Sequence, residues 1–315
     1  MASFIAKLLG LSAYTGLVAV TLPHLQNLNI TSALDVIPFN TKNPQPLTND
    51  TLPPQEDPQL AKFTCLPQNY TTQIVSLDPL VIYIHNFLNL DRDIPALLEA
   101  GEPAFKPSHV YKNGRTQGTP DRTSSSAGLP LDAPVVQCVL ARAEAFMGTM
   151  LAPGRDEIGA PQLVRYTTGQ RFNVHHDWYD DFQPDVATRR RRRWNRIASF
   201  FAILEDGCTE GETWFPKIEA VAPQDLAGER LWRRHEDGGI AFRPVRGNAL
   251  FWVNLFPNGT GDPRTVHAGL PLGDGLKTAM NIWPKRFVGP EAWGPEEKAG
   301  GGVEGVVDDA EVDPV

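Results

Sequence analysis

The clearest periodic stretch lies at 134–150, "PVVQCVLARAEAFMGTM", where apolar residues recur at steps of three and four. This spacing predicts a helix with Pro134 in its first turn, where no backbone N–H is needed. A shorter helix is expected over "DRDIPALLEAGE", with Asp91 as its N-cap. Before it, "PLVIYIHNFLN" alternates well enough for a strand. Downstream the pattern changes to short apolar runs separated by turn residues: "PQLVRY", "RIASFFAILED", "GIAFRPVRGNALFWVNL", "TVHAGLP" and "KTAMNIW". Strands at this spacing predict a mainly β fold with flanking helices, a barrel or double sheet rather than alternating βα units. No internal repeat is evident.

The flanks read differently. Lys7 is followed by no charged residue until Asp35, and residues 8–22 are mostly apolar. That is the length of a signal-peptide core, and shorter than the roughly 20 residues of a spanning helix. Entry into the secretory pathway is expected, with residues 1–28 cleaved or kept as a single membrane anchor and the remainder in the endoplasmic reticulum lumen. A buried or amphipathic helix is the plainer alternative. Residues 29–75 are polar and proline-punctuated and read as a linker or stalk. Residues 289–315 read as an acidic, glycine-rich disordered tail.

Composition narrows the function classes. The 315 residues carry a net charge of −8. From residue 296 onward seven acids face Lys298 alone, so the rest of the chain is close to neutral, which argues against a nucleic-acid binder. Three cysteines, Cys65, Cys138 and Cys208, form no C-x-x-C pair, which argues against a thiolate zinc site. In an oxidising compartment two could pair and one remain free. Four sequons begin at Asn29, Asn49, Asn69 and Asn258, against roughly one or two expected by chance at average composition. An arginine run at 189–193 is a solvated loop, a groove for acidic substrates or a nuclear signal.

The chemistry concentrates at "NVHHDW". On a strand, i and i+2 share a face, so His175 and Asp177 can converge while His176 points away. His267, in another predicted strand, would supply a third ligand. Two imidazoles and one carboxylate on one face of an octahedral ion form the facial triad of non-haem Fe(II) oxygenases. An isolated H-x-D is usually an ordinary turn, and an isolated histidine usually structural; their surroundings change that balance.

The stretch "YTTGQRFNVHHD" resembles the iron-binding strand of the prolyl 4-hydroxylase branch of the 2-oxoglutarate dioxygenases. In the same order, "RIASFFAILEDGCTEGETWFP", "RPVRGNALFW" and "HAGLPLGDGLKTAMNIW" resemble the later strands of that family, and "VIYIHNFLN", "RTSSSAG" and the helix at Pro134 the earlier ones. The resemblance implies a double-stranded β-helix (jelly-roll, cupin-like) core at 76–288. It implies Fe(II) on His175, Asp177 and His267, with 2-oxoglutarate and ascorbate as cofactors and O2 as co-substrate. Lys277 would hold the distal carboxylate of 2-oxoglutarate, since a buried carboxylate needs a cation. Tyr166 would donate to the same carboxylate or line the pocket, or serve simply as a core tyrosine. Trp283 is a pocket wall or plain core packing. Arg122 and Ser124, in "RTSSS", fall near the peptide-binding face of the family, or in a polar loop.

The implied reaction is hydroxylation of proline in a peptide or protein, with release of succinate and CO2. A small-molecule hydroxylase on the same scaffold and a non-catalytic jelly-roll binding module are the alternatives. Thr278, where the family commonly has Trp, and Leu270, where many relatives have Cys, loosen the inference about substrate. An inserted surface segment is expected at 217–239.

Overall fold

A computed structural model describes residues 63–112, 115–117, 120–220 and 231–294. The expected leader or anchor, the sequons at Asn29 and Asn49 and the tail beyond residue 294 lie outside the described residues. No helix among the described residues is long and apolar enough to cross a membrane.

Among the described residues, two antiparallel sheets face each other, beside a separate four-stranded sheet and a two-stranded one. The strands that matter are β1 (Thr71–Leu77), β2 (Leu80–His85), β3 (Ser125–Gly128), β4 (Gln162–Thr167), β5 (Phe172–His175), β6 (Ala198–Glu210), β7 (Thr213–Phe215), β8 (Trp232–Arg234), β9 (Ile240–Phe242), β10 (Ala249–Val253), β11 (His267–Gly269) and β12 (Leu272–Ile282). The larger sheet runs β1–β2–β10–β6–β12–β4–β3, with Lys106–Pro107 on its far edge. The smaller runs β8–β9–β7–β11–β5. This is the expected double-sheet, jelly-roll architecture.

β6 shows why its sequence reads as an unbroken apolar run. Phe200, Ala202 and Leu204 pack against the helices, while Phe201 and Ile203 face the space between the sheets. A strand buried on both faces has no reason to alternate. The same parity sends Ala249 and Phe251 of β10 outward and Leu250 and Trp252 inward.

α2 (Pro134–Met147) begins as expected, with Pro134 in its first turn, and buries Val135, Val136, Val139 and Ala143. α1 (Asp93–Gly101) starts differently from expectation. Asp91 does not cap it; Asn89 Oδ1 accepts from the backbone N–H groups of Asp91 and Arg92. The Asp93 carboxylate accepts from Asn89 N and pairs with Arg142 of α2 at 2.8 Å, which locks the two helices together.

The boundary at residue 76 also moves. β1 starts at Thr71, inside the expected linker, because it pairs with β2; just upstream Cys65 is disulfide-bonded to Cys138 of α2. Cys208 is the free thiol. At the other end Ala292 is buried and Glu291 pairs with Arg191, so structure persists past residue 289.

The insertion is more than surface. Ile218 and Trp232 are each 2% exposed, and β8 extends the smaller sheet; residues 221–230 lie outside the described residues. Gly239, at φ +70, lets the chain turn tightly there: a Cβ would sit 2.0 Å from the Phe215 carbonyl oxygen. Part of the arginine run is tied into the fold, while Arg189, Arg191 and Arg193 stay exposed. Arg192 is buried against Asp185 and Glu157 and stacks over Phe287, Arg193 donates to the Phe182 carbonyl, and Arg190 to that of Trp293.

Candidate metal centre and co-substrate pocket

β5 ends at His175 and the chain turns there, so Asp177 stands beyond the strand rather than on it. β5 and β11 pair antiparallel with His267 opposite His175. The pairing closes the site: one ligand atom from each of His175, Asp177 and His267 lies within 4.8 Å of the other two. Asp177 Oδ1 is 4.0 Å from His175 Nε2 and 3.9 Å from His267 Nε2. Both Nε2 atoms point inward because both Nδ1 atoms are engaged. His175 Nδ1–H donates to the Asn173 carbonyl at 2.8 Å, and His267 Nδ1–H to that of Thr265 at 3.0 Å.

His176 turns away as expected. Its Nδ1 binds the Trp178 carbonyl at 2.7 Å and its ring stacks on Trp178.

The electrostatics suit a cation. Burial raises the cost of ionising Asp177, but His267, His175, Arg196 and the Ser199 hydroxyl outweigh it and hold the acid at about 2. Burial and the neighbouring His267 push His175 well below the ordinary histidine range, so its Nε2 lone pair stays free. A His–His–carboxylate set with one open side fits Fe(II).

A cavity beside the triad is lined by Arg122, Tyr166, Phe201, Thr213, Asn281 and Trp283, among others. Strand parity brings these side chains inward. Tyr166 is buried, which raises its pKa; it lies beside Arg122 and hydrogen-bonds Ser124. Trp283 does line the cavity, and its indole N–H also donates to Asp177 Oδ2 at 3.1 Å.

Lys277 is 2% exposed, and its Nζ donates to the Gly211 carbonyl at 2.7 Å. The rings of Tyr166 and Phe201, which line the cavity, lie 5.5 and 5.2 Å from Nζ. Burial lowers its pKa to about 8. Lys277 forms no ion pair among the described residues, which fits a carboxylate ligand.

Arg122 faces the cavity directly. Its Nε donates to Ser124 Oγ at 3.2 Å and one Nη2 hydrogen to Gln162 Oε1 at 3.2 Å, while Nη1 is buried without a partner. Sequence reasoning missed Ser199, Thr213, Phe201 and Asn281. The signal for Ser199 was available: it is the one hydroxyl inside the apolar run "IASFFAIL".

Comparison with known proteins agrees with the geometry. Residues 161–285 match the 2OG-Fe(II) oxygenase superfamily, a span that contains His175, Asp177, His267 and Lys277. The chain is 25% identical to Prolyl 4-hydroxylase 1 of Arabidopsis thaliana over 223 residues, 69% of this chain and 73% of that protein. It is 28% identical to Prolyl 4-hydroxylase subunit alpha-1 of Gallus gallus over 205 residues, 64% of this chain but only 35% of that subunit. A solved viral collagen prolyl hydroxylase from Paramecium Bursaria Chlorella virus-1 aligns with TM-score 0.47 at 20% identity, covering 65% of this chain and 96% of that one. Taken with the triad, the matches show a 2OG-Fe(II) oxygenase domain at 161–285, and hence a dioxygenase, in a chain that is similar to the prolyl 4-hydroxylases.

Proposed function

We propose that the enzyme hydroxylates peptidyl proline to 4-hydroxyproline, converting 2-oxoglutarate and O2 to succinate and CO2 as it does so. The observation that carries the reading is the meeting of His175, Asp177 and His267 beside a pocket with two buried cations, Lys277 and Arg122. The prolyl 4-hydroxylases it resembles support the substrate class.

The residues divide the work. His175, Asp177 and His267 would hold Fe(II), which with 2-oxoglutarate supplies oxidation of an unactivated C–H bond by O2. Lys277 neutralises the distal carboxylate of the co-substrate, with Tyr166 beside it. Phe201 and Trp283 keep water from the reacting region. Arg122, with Ser124 holding its Nε, presents a free N–H to a peptide carbonyl on the substrate side. Ascorbate keeps the iron reduced between turnovers.

The compartment proposed is the lumen of the secretory pathway. The Cys65–Cys138 disulfide supports it, because such bonds persist in oxidising surroundings. Asn69 and Asn258 head sequons and are both exposed, which supports glycosylation there.

The test is succinate release across proline-containing peptides and free metabolites, with the mass of each product. Turnover stimulated by a peptide that gains one oxygen on proline is expected. Stimulation by a metabolite alone would overturn the peptidyl reading and leave the dioxygenase standing.

A further inference from the structure

Asp177 has two carboxylate oxygens, and the fold treats them differently. Oδ1 faces the two histidine nitrogens. Oδ2 accepts the Ser199 hydroxyl at 2.6 Å and the Trp283 indole N–H at 3.1 Å. We infer that Ser199 and Asn254 are a positioning pair that reserves one oxygen of Asp177 for the metal by occupying the other. This inference rests on the reading that the triad holds Fe(II).

A serine hydroxyl rotates and can donate in several directions. Here Asn254 sets the direction. Its Nδ2 donates to Ser199 Oγ at 2.9 Å, so the single Ser199 hydrogen is left for Asp177. Asn254 is itself fixed by the backbone: its N–H donates to the Ile197 carbonyl at 2.9 Å, and its carbonyl accepts from Asp262 N at 2.8 Å. Both side chains are fully buried. Asn254 Oδ1 has no partner, a cost to stability that an apolar residue would not incur. The bond to Ser199 is what the amide side chain provides in return.

The consequence would be a carboxylate that offers Fe(II) one oxygen, Oδ1. A two-oxygen grip would take a further coordination position, one that co-substrate or O2 needs. Asn254 lies one residue past β10 and reaches Asp177 through Ser199, so its contribution passes through Ser199 and then Asp177.

The experiment uses the full chain with Co(II) in place of Fe(II), titrated without 2-oxoglutarate and followed by visible absorption. Circular dichroism melts confirm folding. Ser199→Ala is expected to weaken Co(II) binding by about 10- to 100-fold and shift the absorption bands, while Ser199→Thr stays within about threefold of the parent. Asn254→Ala should show a smaller loss with the same spectral shift. Folded Ser199→Ala and Asn254→Ala with parental affinity and spectrum would overturn the inference. If Ser199→Ala does not fold, Asn254→Ala decides by the same titration. Failure of the parent chain to bind Co(II) would instead sink the metal-centre reading itself.

Discussion

His267 stands opposite His175 in antiparallel register, their ring centroids 4.3 Å apart. The register brings both Nε2 atoms to the same oxygen, Asp177 Oδ1, at 4.0 and 3.9 Å. It also places Phe215 and Trp252 against His267, so His267 is walled by aromatic rings while His175 stacks on Phe172 at the partly open side.

The ligand assignment predicts a sharp contrast between neighbours. His175→Ala and Asp177→Ala should each remove stoichiometric Fe(II) binding and reduce 2-oxoglutarate turnover by about 1,000-fold or more, the scale of losing the reaction's metal. His176→Ala should keep most of both, because its ring is committed to Trp178. Isothermal titration with Fe(II) under anaerobic conditions, alongside a decarboxylation assay, measures the contrast.

Lys277 predicts a pH dependence of co-substrate binding. Its pKa is depressed to about 8 by burial, and the protonated form is the one that pairs with a carboxylate. Affinity for 2-oxoglutarate should therefore be flat below that value and fall by up to about tenfold per pH unit above it. The depressed lysine also costs stability while charged, so its own contribution to folding should become more favourable as pH rises from about 8 toward the unfolded value. Lys277→Ala should weaken binding and remove the alkaline inflection. Quenching of tryptophan fluorescence by 2-oxoglutarate across a pH series follows both effects.

Arg122 should separate substrate from co-substrate. Arg122→Gln keeps a polar group near Ser124 but removes the charge and the free Nη1. The expected result is a raised KM for peptide, on the order of tenfold for a lost hydrogen bond to a charged group, with the slow peptide-independent decarboxylation retained. Steady-state kinetics with peptide and 2-oxoglutarate varied in turn test it; a rise confined to the KM for 2-oxoglutarate would reassign Arg122 to the co-substrate.

The disulfide joins positions 73 apart in sequence, in the segment before β1 and in α2. Cys65→Ser should lower stability by about 2–5 kcal/mol, read as a lower melting temperature that reducing agent does not lower further. The same reductant should destabilise the parent chain.

Much of this was legible in the amino-acid order. The two helices, the central strands of the larger sheet (β2, β4, β6, β10 and β12) and the three candidate ligands were legible from periodicity, turn residues and a motif order shared with a known family, whereas β1 was hidden in the expected linker. Each is a local property: a strand buried on both faces must be apolar throughout, and a helix that covers a sheet must repeat at three and four residues. Asp91 misled because an asparagine two residues earlier competes for the same backbone donors, and such competition is settled by geometry. The insertion misled because Ile218 and Trp232 read as isolated apolar residues in a polar stretch, and only the smaller sheet gives them a place to be buried.

The chain alone thus determined which residue types could bind iron and a keto acid, since side-chain chemistry is written position by position. Tertiary structure decided which of them meet and what holds them. The pairing of β5 with β11, the occupation of one Asp177 oxygen by Ser199, the free edge of Arg122 and the choice of Cys65 over Cys208 as partner for Cys138 all depend on distances between segments remote in sequence. Those distances are set by how two sheets and two helices pack around shared cores, which no local pattern encodes.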